Sequence, residues 1–175
     1  MTSPLSIPHR LDRESLSCRA IIETPKGSRS KFDYDPQTGL FLLDKVLPAG
    51  MSFPLDFGFI PSTKAEDGDP VDILVLHDEP IPVGVLLEVR LIGVIIGEQR
   101  EDDGVTVRND RLIGVSKASY LHQHLTDAQQ LTETFLDQLA RFWVNYNELR
   151  GRKFDSKGIR GPAEAAALIE AASSA

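Results

Sequence analysis

Cysteine is almost missing from this chain of 175 residues: Cys18 stands alone, so no intrachain disulfide can form and a reducing compartment is expected. Long apolar runs are missing too, and the longest are strand-length, too short to span a membrane. The opening "MTSPLSIPHRLDRE" has no apolar leader core, which leads us to expect a cytoplasmic protein. A basic surplus is also lacking. Nineteen Lys and Arg against 26 Asp and Glu give a net charge of −7, which argues against a nucleic-acid partner. The four histidines (His9, His77, His122 and His124) show no metal-ligand spacing, and His122 and His124 are expected at the surface. There is no internal repeat and no linker, so residues 1–175 are expected to form one domain.

What is present is a run of strand signals followed by helix signals. Residues 18–23, 30–35, 39–44, 71–76, 85–98 and 105–115 read as strands. "DPQTG" at 35–39 supplies hairpin turn chemistry, and "EQREDDG" at 98–104 reads as a second hairpin loop. The period then changes. Thr126 with Gln129 resembles a capping box, and Leu131, Phe135, Leu139, Phe142, Tyr146 and Leu149 recur at helical spacing. A second helix is expected over 161–172, with Pro162 in its first turn. The expected fold class is α+β: a closed or nearly closed β-barrel with helices packed outside.

The chemistry concentrates in "EDGDPVDILVL", residues 66–76. Asp67 and Asp69 share one side of an extended chain and Asp72 the other, so only a turn at Gly68–Pro70 can make the three converge. Close carboxylates raise one another's pKa unless a cation keeps them ionised. Oxygen ligands without His or Cys point to a hard ion, with Mg²⁺ favoured. A solvated acidic turn is a rival reading for Glu66 and Asp67, but it fails for Asp72, which leads four consecutive apolar residues. Magnesium held by few carboxylates completes its shell with water and substrate phosphate. Cations for a phosphate are available at Lys31, Lys45, Arg29, Arg111, Lys117, Arg152 and Lys153. On a strand, Lys31 and Asp33 share one face and Phe32 takes the other.

"DGDPVDILV" resembles the signature of the soluble family I inorganic pyrophosphatases. "IIETPKGSRSKFDYD", "TGLFLLDKVL", "FPLDFGFIP" and "ARFWVNYNEL" are similar to further segments of that family, in order, so the resemblance runs from about residue 20 to 172. It implies a five-stranded, OB-like closed barrel with additional hairpin strands and two flanking C-terminal helices. It also implies Mg²⁺ as cofactor, pyrophosphate as substrate, two phosphates as products, and a homo-oligomer, hexameric in many bacterial members. Carried over by match, Asp67 and Asp72 become metal ligands, and Asp69 becomes the base that orients and deprotonates the attacking water. Lys31 and Tyr146 would hold phosphate oxygens, with Lys45 and Arg111 as further substrate contacts. Glu23 and Asp33 would bind water around the ions or a further ion.

The departures from the family pattern are specific. Phe53 and Phe57 replace tyrosines, Lys45 replaces an arginine and Asn147 a lysine. In the later hairpin Asn109 stands where an aspartate is expected, and Asp110 lies one place off. A bulge there would bring Asp110 to the metal, or Asp102 or Asp103 would substitute. Two alternatives follow: hydrolysis of another phosphoanhydride or phosphoester, or a degenerate non-catalytic relative.

Overall fold

The computed structural model describes residues 3–173. Nine strands and two α-helices are present among them: β1 (Ser17–Thr24), β2 (Ser30–Asp35), β3 (Leu40–Val46), β4 (Asp56–Phe59), β5 (Asp72–Leu76), β6 (Leu86–Arg100), β7 (Thr106–Arg108), β8 (Arg111–Ser116), α1 (Glu133–Glu148), β9 (Lys153–Arg160) and α2 (Pro162–Ala172). The class is mixed α+β, as expected.

The sheet runs in the order β1-β4-β5-β8-β6, and β6 also pairs with β1, so the pairings form a ring. All are antiparallel except β5 with β8. β7 and β9 both extend β6, and β2 with β3 form a separate hairpin. The long β6 can serve so many neighbours because its register shifts between Leu91 and Gly93 and again between Ile95 and Gly97. Such bulges bend a strand and let it change partner.

Strand alternation divides the core in two. Ile73 and Val75 of β5 join one apolar cluster, which α2 completes through Ala165, Ala166 and Ile169. Leu74 and Leu76 join the other, completed from α1 by Leu139, Phe142, Trp143 and Tyr146. The helical spacing of the aromatic residues thus builds the wall behind the site.

Three sequence expectations are corrected. The capping box lies one residue later, Asp127 with Gln130, and closes a short 3-10 turn at Ala128–Gln130. α1 begins further on, with Thr132 as its N-cap. The single strand expected over 105–115 is broken into β7 and β8 at Asn109–Asp110. β4 and β9 are strands where none was expected.

Candidate active site

The acid loop carries out the turn its composition demands. Gly68 takes φ 91°, which a side chain would oppose. Gly68 N–H donates to Ala65 O at 3.0 Å, Ala65 N–H to Asp69 O at 2.7 Å, and Asp69 N–H to the Asp67 carboxylate at 3.1 Å. Asp67, Asp69 and Asp72 all line one cavity of about 790 Å³. Glu23 at the end of β1, with Lys31 and Asp33 on β2, lines it too, as do Arg111 on β8 and Tyr146 on α1. The shared face foreseen for Lys31 and Asp33 is realised, and the two are ion-paired.

Other expected residues lie elsewhere. Asp110 does not line the cavity: its carboxylate accepts Gly97 N–H at 3.0 Å and pairs with Arg108 Nε at 2.5 Å. The break in the strand turns Asp110 away from the cavity and leaves Asn109 facing it, so no bulge brings Asp110 to the acids. Lys45 does not line the cavity; it is paired with Asp44 at 3.1 Å, with Nζ 5.5 Å from the Tyr146 ring centre. Asp102 and Asp103 are exposed on the loop beyond β6 and do not reach the cavity. Asn147 faces inward, donating to Trp143 O at 2.8 Å. Of the remaining cations, Arg152 reaches the cavity, while Arg29 binds Leu47 O, Lys117 pairs with Glu88 and Lys153 with Asp155. Gln99, Glu101, Trp143 and Arg150 line the site without having been singled out from sequence. Of these, Arg150 alone carried a usable signal, one helical turn after Tyr146.

The cavity is electrostatically unfinished. Desolvation pushes Glu23 up to about 7, although Tyr34 N–H donates to it and Lys31 favours its charged form. Desolvation also pushes Asp72 up to about 6, against the pull of Arg111, whose Nη1 lies 3.1 Å away. Lys31 is lowered, again chiefly by burial. Tyr146 is pushed up to about 12 by burial and stays a neutral donor, its hydroxyl without a partner among the described residues.

No three His, Cys, Asp or Glu side chains among the described residues form a ready-made metal cage. The donor set nevertheless fits Mg²⁺: oxygen ligands only, spread around a roomy cavity, suit an ion that binds few carboxylates and keeps several waters. The aromatic wall is solid. Phe57 borders the cavity with its ring 5.8 Å from Lys31 Nζ. Phe53 is 1% exposed and lies behind it, packed on Phe57, Phe142 and Tyr146 at centroid distances of 5.7, 5.2 and 6.0 Å.

A ring-like α+β fold with carboxylates facing Lys, Arg and Tyr donors across one cavity defines a hydrolase built for phosphate groups. The family profile described as "Pyrophosphatase: Inorganic pyrophosphatase" matches residues 20–175, and the chain belongs to that family of hydrolases. An inorganic pyrophosphatase of Thermus thermophilus is 37% identical over 150 residues, covering 86% of this chain and 83% of the relative. One from Geobacillus stearothermophilus is 33% identical, covering 90% and 92%. Among solved structures, an inorganic pyrophosphatase from Thermus thermophilus superposes with a TM-score of 0.88, at 33% identity and coverage of 98% and 97%. One from Helicobacter pylori gives 0.84 at 30% identity, with coverage of 96% and 95%.

Proposed function

We propose that the cavity hydrolyses inorganic pyrophosphate to two phosphates with Mg²⁺ as cofactor. The observation that carries this reading is the convergence of Asp67, Asp69 and Asp72 on the cavity that Lys31, Arg111 and Tyr146 also line. Asp67 and Asp72 would hold the metal, with Glu23 and Asp33 beside them. When bound, the ions lower the pKa of the attacking water and neutralise charge on the phosphates. Asp69 is exposed, and its carboxylate is free to orient that water and take its proton. Lys31 Nζ, Arg111 Nε and the Tyr146 hydroxyl hold phosphate oxygens, with Arg150 and Arg152 at the edge and Lys45 beside Tyr146. Asp110 takes no part, being committed to Arg108 and Gly97.

The alternative of a bulkier phosphoanhydride or phosphoester loses its main support. Phe53 is buried in the aromatic cluster behind the wall and opens no recess on the cavity. The degenerate reading is opposed by Asp69, a carboxylate without purpose where no water is activated. We also read the ring of pairings as a closed five-stranded barrel in one domain, and the protein as cytoplasmic. No helix among the described residues is long and apolar enough to cross a membrane. Leu40, Leu42, Leu43 and Val46, exposed along β3, support assembly into a homo-oligomer.

A substrate panel tests the reading. With Mg²⁺ the protein should release phosphate from pyrophosphate in preference to nucleotides and phosphomonoesters, and chelation should stop the release. Preference for a nucleotide, or release that survives chelation, would overturn it.

A further inference from the structure

The wall beside the acids is made of two amides, Arg111, and the paired Glu101 and Arg152. Gln99 and Asn109 both line the cavity and are buried, at 4% and 8% exposure. Asn109 Nδ2 donates to Gln99 Oε1 at 2.9 Å, and Gln99 Nε2 donates to Glu101 at 2.5 Å. Glu101 in turn pairs with Arg152 at 3.2 Å. At the other end, Arg111 Nη1 donates to the Asn109 side chain and to the Asn109 and Asp110 carbonyls at 3.0 and 3.2 Å. The same nitrogen lies 3.1 Å from Asp72 Oδ2. A continuous polar chain therefore runs from Asp72 to Arg152.

This wall is poorly made for a divalent ion. Amide oxygens carry no net charge, and both are occupied, Gln99 Oε1 by Asn109 and Asn109 Oδ1 by Arg111. Arg111 cannot shed its charge. Its guanidinium lies over the Trp143 ring, 4.4 Å from the centre, and is held by two carbonyls of its own chain segment. Its Nε has no partner among the described residues, which leaves that edge for an oxyanion.

We propose that Arg111 competes with a divalent cation for Asp72, and that Gln99 and Asn109 limit how many ions the site takes by withholding ligands along this wall. The inference rests on the metal-dependent reading above. Ions are then confined to the side of Asp67, Asp69, Asp72, Glu23 and Asp33. Arg111 competes with them for Asp72, and this sets a weaker affinity than the acid loop alone would give.

Metal binding without substrate is the test, with Mg²⁺ followed by calorimetry and bound Mn²⁺ counted by electron paramagnetic resonance. Arg111→Gln should tighten the Asp72-dependent ion by about tenfold, as removal of a like charge at contact distance requires. The Gln99→Glu/Asn109→Asp pair, which preserves shape, should raise the bound Mn²⁺ by about one ion. Circular dichroism confirms folding, and if Arg111→Gln does not fold the isosteric pair decides alone. An unchanged ion count in that pair, or unchanged or weaker binding in folded Arg111→Gln, overturns the inference. Asp67→Asn separates this from the underlying reading. If the wild type binds ions that Asp67→Asn loses while the wall variants change nothing, only the role of the wall falls. If the wild type binds no ion, the metal reading falls and takes this inference with it.

Discussion

Tyr146 and Lys31 show how individual side chains are prepared for an anion. The Tyr146 hydroxyl is buried without a partner among the described residues, and a buried unsatisfied polar group costs about 1–3 kcal/mol. Tyr146→Phe should therefore leave the melting temperature unchanged or raised, while KM for pyrophosphate rises roughly 10- to 100-fold, the worth of one hydrogen bond to a charged group. A fall in stability with unchanged KM would mean that the hydroxyl serves packing alone. Lys31 is held among Glu23, Asp33 and Asp72 while burial works against its charge, so the same site that needs a cation also holds one. Lys31→Met should weaken pyrophosphate binding by more than tenfold, read as KM or as inhibition by phosphate, because it removes a charge-assisted contact.

At the scale of elements, Gly58 is the position with least tolerance. A Cβ there would lie 1.9 Å from the carbonyl oxygen of Ile21, where β1 and β4 pair. Backbone cannot yield as a flexible side chain does, so Gly58→Ala should lose at least about 3 kcal/mol in urea unfolding, the upper end for overpacking. It should also disturb Phe57, its neighbour in the site wall. A variant with the wild-type midpoint would contradict this packing.

The same scale shows what the sequence made legible. Strands with a continuous apolar signal, such as β5 and β6, and the aromatic face of α1 could be read directly. β4 could not, because four residues including Asp56 and Gly58 show no strand pattern. Asp56 is fully buried and accepts Lys26 and Ile81 N–H at 2.8 and 3.0 Å, contacts with residues 30 and 25 positions away. β9 hides for the opposite reason. Phe154 is its one buried residue, and pairing along β6 holds it by backbone hydrogen bonds that leave no apolar rhythm. In the site, the acid loop was legible because Gly68 and Pro70 announce its turn. The choice between Asn109 and Asp110 was not, since it depends on where β7 ends and β8 begins. Gln99 gave no signal at all: its place follows from the position of β6 relative to β8.

At the scale of the whole molecule, the site is held against its own stability. Glu23 and Asp72 are raised to about 7 and about 6 in the folded protein, above their ordinary values near 4.5 and 3.8. The folded state therefore binds more protons than the unfolded chain between those limits. The sign follows: without metal, the contribution of these two groups to stability is fully present below about pH 4 and is lost as pH rises through about 6 to 7. Mg²⁺ should remove this slope, because it binds the ionised folded form. At one hundred times its Kd it should add about 2.7 kcal/mol of stability. Thermal melts between about pH 5 and pH 8, with Mg²⁺ and with chelator, measure both effects. Parallel curves in the two conditions would contradict a metal among these acids.

The proposed chemistry turns on Asp69, which activates the water that attacks pyrophosphate. Phosphate release from pyrophosphate with saturating Mg²⁺, wild type against Asp69→Asn, addresses it most directly. The amide should lower kcat by a hundredfold or more, on the order of the contribution of a positioned general base, while calorimetric Mg²⁺ binding persists. Release by Asp69→Asn within a few-fold of wild type would contradict it.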